Sequence, residues 1–151
     1  MTPYKKIFTR FELKIEELAP EEIGDVLWHQ LEKEYLHSAL SLIELDNLYF
    51  YSNQLKQDLT DWDDELEVFN RDLSAKEIEV LSLYMIVAWY EPKINSLEHT
   101  LMYYGSKDEK WTSQKDHLRV ISDKQKDYLR RARAYYNHNA GRNNSFIEGY
   151  V

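Results

Sequence analysis

Ser74-Ala75-Lys76-Glu77-Ile78-Glu79-Val80-Leu81-Ser82-Leu83-Tyr84-Met85-Ile86-Val87-Ala88-Trp89-Tyr90-Glu91-Pro92 is the stretch on which the fold turns. Ser74 and Glu77 make a capping-box pattern: the hydroxyl accepts from a free amide at the third helical position, and the glutamate reaches back toward the cap. Downstream, apolar residues fall on almost every side of the helix, as in an element buried all round. The run from Ile78 to Tyr90 is the longest apolar one, yet it contains Glu79 and Ser82 and falls short of the ~20 residues a membrane-spanning helix needs. It reads as the central core helix. It should end or kink at Glu91, because Pro92 disfavours helical geometry in the residue before it.

On the N-terminal side, Thr2-Pro3 is a good helix start, and Tyr4, Ile7, Phe8, Phe11, Ile15 and Leu18 recur along one face, predicting a first helix over Pro3 to Glu17. Ala19-Pro20-Glu21-Glu22 opens a second, with acids in a first turn where the helix dipole favours them. Ile23, Leu27, Leu31, Tyr35 and Leu42 follow, taking it to about Ser41. From Glu44 to Arg71 the helical period fails. Asn47-Leu48-Tyr49-Phe50-Tyr51-Ser52 is rich in β-favouring aromatics and can form a short strand. Leu66-Glu67-Val68-Phe69 would be its hairpin partner, with Asp58 to Asp64 as the loop.

On the C-terminal side, Ile94, Leu97, Leu101 and Tyr104 predict a separate short helix closed by Gly105. Thr112-Ser113 then starts a last helix, in which Leu118, Ile121, Gln125, Tyr128, Ala132 and Tyr135 make a seam of coiled-coil type. The stretch Asn137 to Val151 holds two of the four glycines and does not easily stay helical. Phe146, Ile147, Tyr150 and Val151 are too apolar for an inert linker, so it reads as a docking tail; the plainer alternative is a frayed terminus. The expected architecture is mainly α: a single-domain bundle of about five helices over residues 1–136, a short β-hairpin inserted at 47–70, and an extended C-terminal tail at 137–151.

Composition narrows the function. With 151 residues and 43% hydrophobic content, one core can form without staples. The absence of cysteine excludes disulfides, thiolate catalysis and cysteine-ligated zinc. No apolar signal-peptide core follows Met1, so Sec-type export is not expected. A formal net charge of −8 argues against general affinity for nucleic-acid backbones. The charge is uneven: acids dominate from Glu12 to Glu91, while Lys124, Lys126, Arg130, Arg131, Arg133 and Arg142 make the C-terminal part basic. Complementary subunit surfaces are one reading and a solvated helix face the other. Tyr128, Arg130, Arg131, Arg133, Tyr135 and Tyr136 are the basic-side interface candidates, and Asp61, Asp63 and Asp64 the acidic ones. Twelve tyrosines and four tryptophans suit protein interfaces, since each ring offers contact area with a polar handle.

Tests for chemistry yield no catalytic set. Glu34-Tyr35-Leu36-His37 has the Glu-x-x-His form of helical di-iron sites, but it occurs once, and Glu98 and His99 are adjacent and point about 100° apart on a helix. Asp61, Asp63 and Glu65 alternate like calcium ligands, but Leu66 stands where the loop requires Gly. Phosphate cradles, nucleophile elbows and zincin motifs are missing, and the five histidines are scattered singly. No catalytic residue, metal or cofactor is expected.

The run Phe69-Asn70-Arg71-Asp72-Leu73-Ser74-Ala75-Lys76-Glu77-Ile78-Glu79-Val80-Leu81, then Met85-Ile86-Val87-Ala88-Trp89-Tyr90-Glu91-Pro92-Lys93-Ile94-Asn95, resembles structural proteins of tailed bacteriophages encoded near capsid and portal genes. Ser113-Gln114-Lys115-Asp116-His117-Leu118, the long charged helix and Arg142-Asn143-Asn144 extend the resemblance to roughly Leu73–Asn144. The family is that of head-to-tail connectors, or adaptors. The resemblance implies a helical, non-enzymatic virion subunit of the neck, made in the host cytoplasm, with no membrane partner. It further implies a ring of about 12 copies beneath the portal protein, lining the conduit through which DNA passes as cargo. Arg142, Asn143, Asn144, Phe146, Ile147, Tyr150 and Val151 would insert between portal subunits, and the other end would receive a stopper or tail-completion protein. An acidic wall would let DNA slide instead of sticking. Two other classes compete: a small acidic phage protein that inhibits a host protein through the Asp58 to Asp72 cluster, and an enzyme of unrecognised type such as a helical hydrolase.

Overall fold

A computed structural model of the chain describes residues 1–15, 23–45, 50–52, 55–57, 61–102 and 109–142. The fold is mainly helical. Among the described residues there are four helices: α1 (Tyr4–Glu12), α2 (Asp25–Leu45), α3 (Ala75–Leu101) and α4 (Glu109–Arg142). Five short strands accompany them: β1 (Thr2–Pro3), β2 (Phe50–Ser52), β3 (Leu55–Gln57), β4 (Trp62–Asp63) and β5 (Val68–Phe69).

The capping box at Ser74 forms as expected on its serine side, with the Glu77 amide donating to Ser74 Oγ at 3.2 Å. From there α3 runs through the middle of the molecule. Every residue from Val80 to Trp89 is buried, and α1, α2 and α4 all pack on this helix. Each large apolar side chain taken out of water here contributes about 1.5–3 kcal/mol, which makes α3 the anchor of the fold.

The break expected at Pro92 does not occur. The helix continues to Leu101 with the proline inside it, so the expected central and short helices are one element and the count falls from about five to four. A proline inside a helix removes one backbone donor and presses on the carbonyl one turn back, at a cost of about 3 kcal/mol. Packing against α4 offsets that cost, and Gln125 of α4 donates to the Val87 carbonyl just upstream at 3.1 Å.

α1 buries Tyr4, Ile7, Phe8 and Phe11, the face its spacing predicts, but stops at Glu12 instead of Glu17. Pro3 is the N-cap of this helix, as its place at the expected start suggests, and Thr2-Pro3 is also a short strand. It pairs antiparallel with β5, Thr2 opposite Phe69 and Pro3 opposite Val68. Thr2 Oγ1 donates to the Arg71 carbonyl at 3.0 Å and accepts from the Leu73 amide at 2.8 Å. These bonds tie the N-terminus to the segment that leads into α3.

α2 starts at Asp25, after Gly24 at φ 90, and reaches Leu45, beyond the expected Ser41. The expected Ala19-Pro20 start lies outside the described residues. Its buried stripe is Trp28, Glu32, Leu36, Ala39 and Ile43, one residue along from the expected Leu27, Leu31, Tyr35 and Leu42. Leu31, Tyr35 and Leu42 of the expected face are partly buried against the same core, while Leu27 is left half exposed.

A hairpin exists within 47–70, but with other partners. β2 pairs with β3, Tyr51 opposite Lys56, whereas Val68–Phe69 sits at the centre of a three-stranded antiparallel sheet ordered β1-β5-β4. Pairing with the nearer segment closes the shorter loop, which costs less chain entropy. α4 begins at Glu109, before the expected Thr112, and continues to Arg142, past Asn137 where the tail was expected to start; residues 143–151 lie outside the described residues.

Candidate functional site

Two features outside the core bring polar and aromatic side chains together. The first is the acidic turn between β4 and β5. Asp63 folds back on it, its Oδ1 accepting from the Glu65 and Leu66 amides at 2.9 and 3.0 Å. Glu67 closes the turn in the left-handed region at φ 54, and its carbonyl accepts from the Tyr4 amide at 2.8 Å. A non-glycine residue holds that conformation only where its surroundings enforce it.

The enforcement comes from α2. His29, Lys33 and His37 recur at four-residue spacing, which stacks them on one helix face. His29 Nε2 meets the Glu67 carboxylate at 2.8 Å, and Lys33 lies 3.5 Å from it. Lys33 also donates to the Asp64 carbonyl at 3.2 Å, and His37 Nε2 meets Asp64 Oδ2 at 2.9 Å. Tyr4 donates its hydroxyl proton to Asp64 Oδ1 at 2.9 Å; burial and this bond push the phenol well above its ordinary range. The hydrogen bond from His29 holds the Glu67 carboxyl below the usual carboxylate range. Asp61 accepts from Asn70 Nδ2 at 2.7 Å.

The three aspartates singled out from the sequence are therefore brought together, but as the frame of a turn clasped by α1 and α2. The basic candidates sit elsewhere: Arg131 pairs with Asp127 of its own helix at 2.8 Å, and Arg130 with the same carboxylate. Among the described residues, no group of three or more His, Asp or Glu is placed to hold a metal ion. His37 of the Glu-x-x-His is turned toward Asp64, and Asp63, a member of the calcium-like run, is occupied by backbone amides.

The second feature is a groove of about 920 Å³ between α3 and α4, with Lys14 and Ile15 at one end. Trp89, Tyr90 and Tyr128 supply its aromatic surface. Trp89 and Tyr90 meet edge to face at 4.9 Å, and Tyr90 stacks with Tyr128 at 6.1 Å. Cations cover two of these rings: Lys93 Nζ lies 4.1 Å from the centre of Trp89, and the Arg131 guanidinium 5.2 Å from that of Tyr128. Lys14, Lys93, Lys124 and Arg131 line the groove against two carboxylates, Asp123 and Asp127. Lys14 is already paired with Glu79 at 2.9 Å; Lys124 stands exposed at the rim.

The sequence pointed to Tyr128 and Arg131, which line this groove, but not to their partners Trp89 and Lys93. The signal was available: Trp89 and Lys93 are one helical turn apart, the spacing at which a lysine can cover a ring. Arg130 and Arg133 lie over a shallower depression beside Leu129, and Tyr135 is part exposed. The Tyr136 side chain lies outside the described residues, as do Asn143, Asn144, Phe146, Ile147, Tyr150 and Val151; Arg142 is the last residue of α4.

A buried acid also escaped the sequence reading. Glu32 is only 3% exposed, inside the α1/α2 contact, and its Oε1 has no hydrogen-bond partner. Burial, reinforced by the neighbouring Glu12 carboxyl, pushes its pKa up to about 9, so it is a neutral acid at pH 7.

Compared with protein-family models, with curated proteins and with solved structures, the chain finds no match. Among the described residues, no helix is long and apolar enough to cross a membrane.

Proposed function

We propose that the chain is a structural subunit of a tailed-phage neck, an adaptor that joins the portal protein to a stopper or tail-completion protein as one member of a ring lining the DNA conduit. The observation that carries this reading is the last helix. α4 is 34 residues long, about 50 Å by helix geometry, and between Trp111 and Tyr135 only Ala132 is fully buried. A helix that long, exposed along much of its length, has surface left over for neighbouring subunits. The resemblance over Leu73–Asn144 covers α3 and α4, the two helices that form the groove. The alternative, an inhibitor acting through the Asp58 to Asp72 cluster, is less favoured because Asp63 and Asp64 already accept hydrogen bonds from within the chain.

The test is mass spectrometry of purified particles from a host expressing the reading frame in its native genome. The chain should be present at a fixed ratio to the portal protein, and its absence ends the proposal. Removing residues 143–151 should leave the helical circular-dichroism signal intact and abolish co-purification with portal complexes. The pair Phe146→Ala and Tyr150→Ala repeats the test without shortening the chain.

A further inference from the structure

We propose that copies of this chain associate head to tail, the tip of the β4–β5 turn of one copy seating in the α3/α4 groove of the next. The inference names the contact within the ring and so rests, for its biological setting, on the reading above.

The tip is built as a knob. Leu66 is 67% exposed at its apex, a large apolar side chain held out in water, and the carboxylate of Glu65 stands exposed beside it. The backbone beneath is fixed by the two amide bonds to Asp63, by the left-handed Glu67 and by the clasp from His29 and Lys33. A tip already fixed in shape loses little entropy on docking.

The groove is built as the matching socket. Its volume of about 920 Å³ holds an aliphatic side chain with room to spare, and Leu97, Val120 and Ile121 in its lining offer the contacts that water cannot. Of its lining cations, Lys14 and Arg131 are paired with Glu79 and Asp127, and Lys124 stands exposed at the rim. Val120, 48% exposed, extends the apolar surface at the rim next to Lys124, where the Glu65 carboxylate would arrive.

The chain cannot satisfy itself. The knob is tied to Tyr4 at the start of α1, and the socket includes Lys14 just past its end, roughly 15 Å along the axis at 1.5 Å per residue. Knob and socket on different surfaces make a heterologous contact, which closes into a ring or runs on as a filament according to the angle per step. One knob buries less than a standard interface, so a single contact should be weak, with dissociation on the order of 0.1 mM, and ring closure would tighten it.

Sedimentation of the full chain across a concentration series tests the proposal. Association should appear, and Leu66→Ala should weaken it about tenfold with the thermal midpoint unchanged. Glu65→Lys alone and Lys124→Glu alone should each sediment as monomers, and an equimolar mixture of the two should assemble, because every contact in an alternating chain then pairs opposite charges. A wild-type chain that stays monomeric throughout overturns the proposal, as does association indifferent to all three substitutions, or a mixture that remains monomeric. Association through knob and socket by a chain absent from phage particles would uphold this inference while removing the virion setting.

Discussion

Gln125 of α4 donates from Nε2 to the main-chain carbonyl of Val87 at 3.1 Å, and the same nitrogen lies 2.6 Å from the Glu91 carboxylate. Both acceptors belong to the turn that precedes Pro92. The carbonyl that Pro92 leaves without its helical donor is that of Ala88, the residue after Val87, so Gln125 braces the helix beside the gap and does not replace the missing bond. Gln125→Leu should therefore destabilise the protein by about 1–2 kcal/mol, through loss of the bond at a half-buried site. Urea unfolding measures this as a lower midpoint at constant slope. An unchanged midpoint would mean that α3 tolerates Pro92 without help.

The same contact explains what was legible in the sequence. The apolar run from Ile78 to Tyr90 identified the central helix, because burial on every side leaves a pattern no other soluble element shares. Pro92 misled because a local rule about backbone geometry was read without the partner that overrides it, and Gln125 lies far along the chain. α2 misled for a different reason. Its most buried stripe runs through Glu32, an acid that apolar spacing passes over; Leu31, Tyr35 and Leu42 of the expected face still pack against the core, while Ile23 and Leu27 stay exposed.

Glu32 gives a prediction of its own. Its acid form is stabilised by folding: the ordinary value of 4.5 rises to about 9. Between those values the folded state binds a proton that the unfolded state has released, so stability falls as pH rises from about 4.5 to about 9. At pH 7 the loss is on the order of 3 kcal/mol. Glu32→Gln keeps the shape without the ionisation, so it should raise stability at pH 7 to 8 and flatten the profile over that window. Denaturant midpoints at one-unit pH intervals decide it, and a variant whose profile keeps the wild-type slope would place the titrating group elsewhere.

Glu67 behaves in the opposite sense. The hydrogen bond from His29 leads the effects that hold its carboxyl below the usual range. Such a group adds stability that is present above its unfolded value and is lost as pH falls through the lower folded one. The acid limb of the stability profile should thus be shallower in Glu67→Gln, with His29→Ala shifting it the same way. Urea midpoints between pH 6 and 3 provide the check, and an acid limb identical in all three proteins would show that the clasp carries no electrostatic weight.

The site was less legible than the fold. Asp61, Asp63 and Asp64 stood out as a charge run, but the sequence does not show that His29, Lys33 and His37 lie on the helix face opposite them, since that pairing is made across the fold. Tyr128 and Arg131 were visible as part of a basic aromatic row. The groove they line was not, because its other wall belongs to α3 and comes into place only when α3 runs unbroken past Pro92.

Ala132 tests how closely that wall fits. It is fully buried on α4, where every other residue between Trp111 and Tyr135 keeps some exposure. A buried alanine lets the helix sit close on the core, and Tyr128, one turn earlier on the same helix, stacks with Tyr90 of α3. Ala132→Leu adds volume with no space to receive it, which in a packed core costs about 1–3 kcal/mol. Ala132→Gly removes only a methyl group and adds backbone freedom, at about 1 kcal/mol. Both variants should lower the thermal midpoint, the leucine more. Only the leucine should push α4 outward, and near-ultraviolet circular dichroism should then lose part of the tyrosine signal from the separated rings. A leucine variant as stable as the wild type, with that signal intact, would mean that α4 rests loosely on α3 and that the groove between them has no fixed shape.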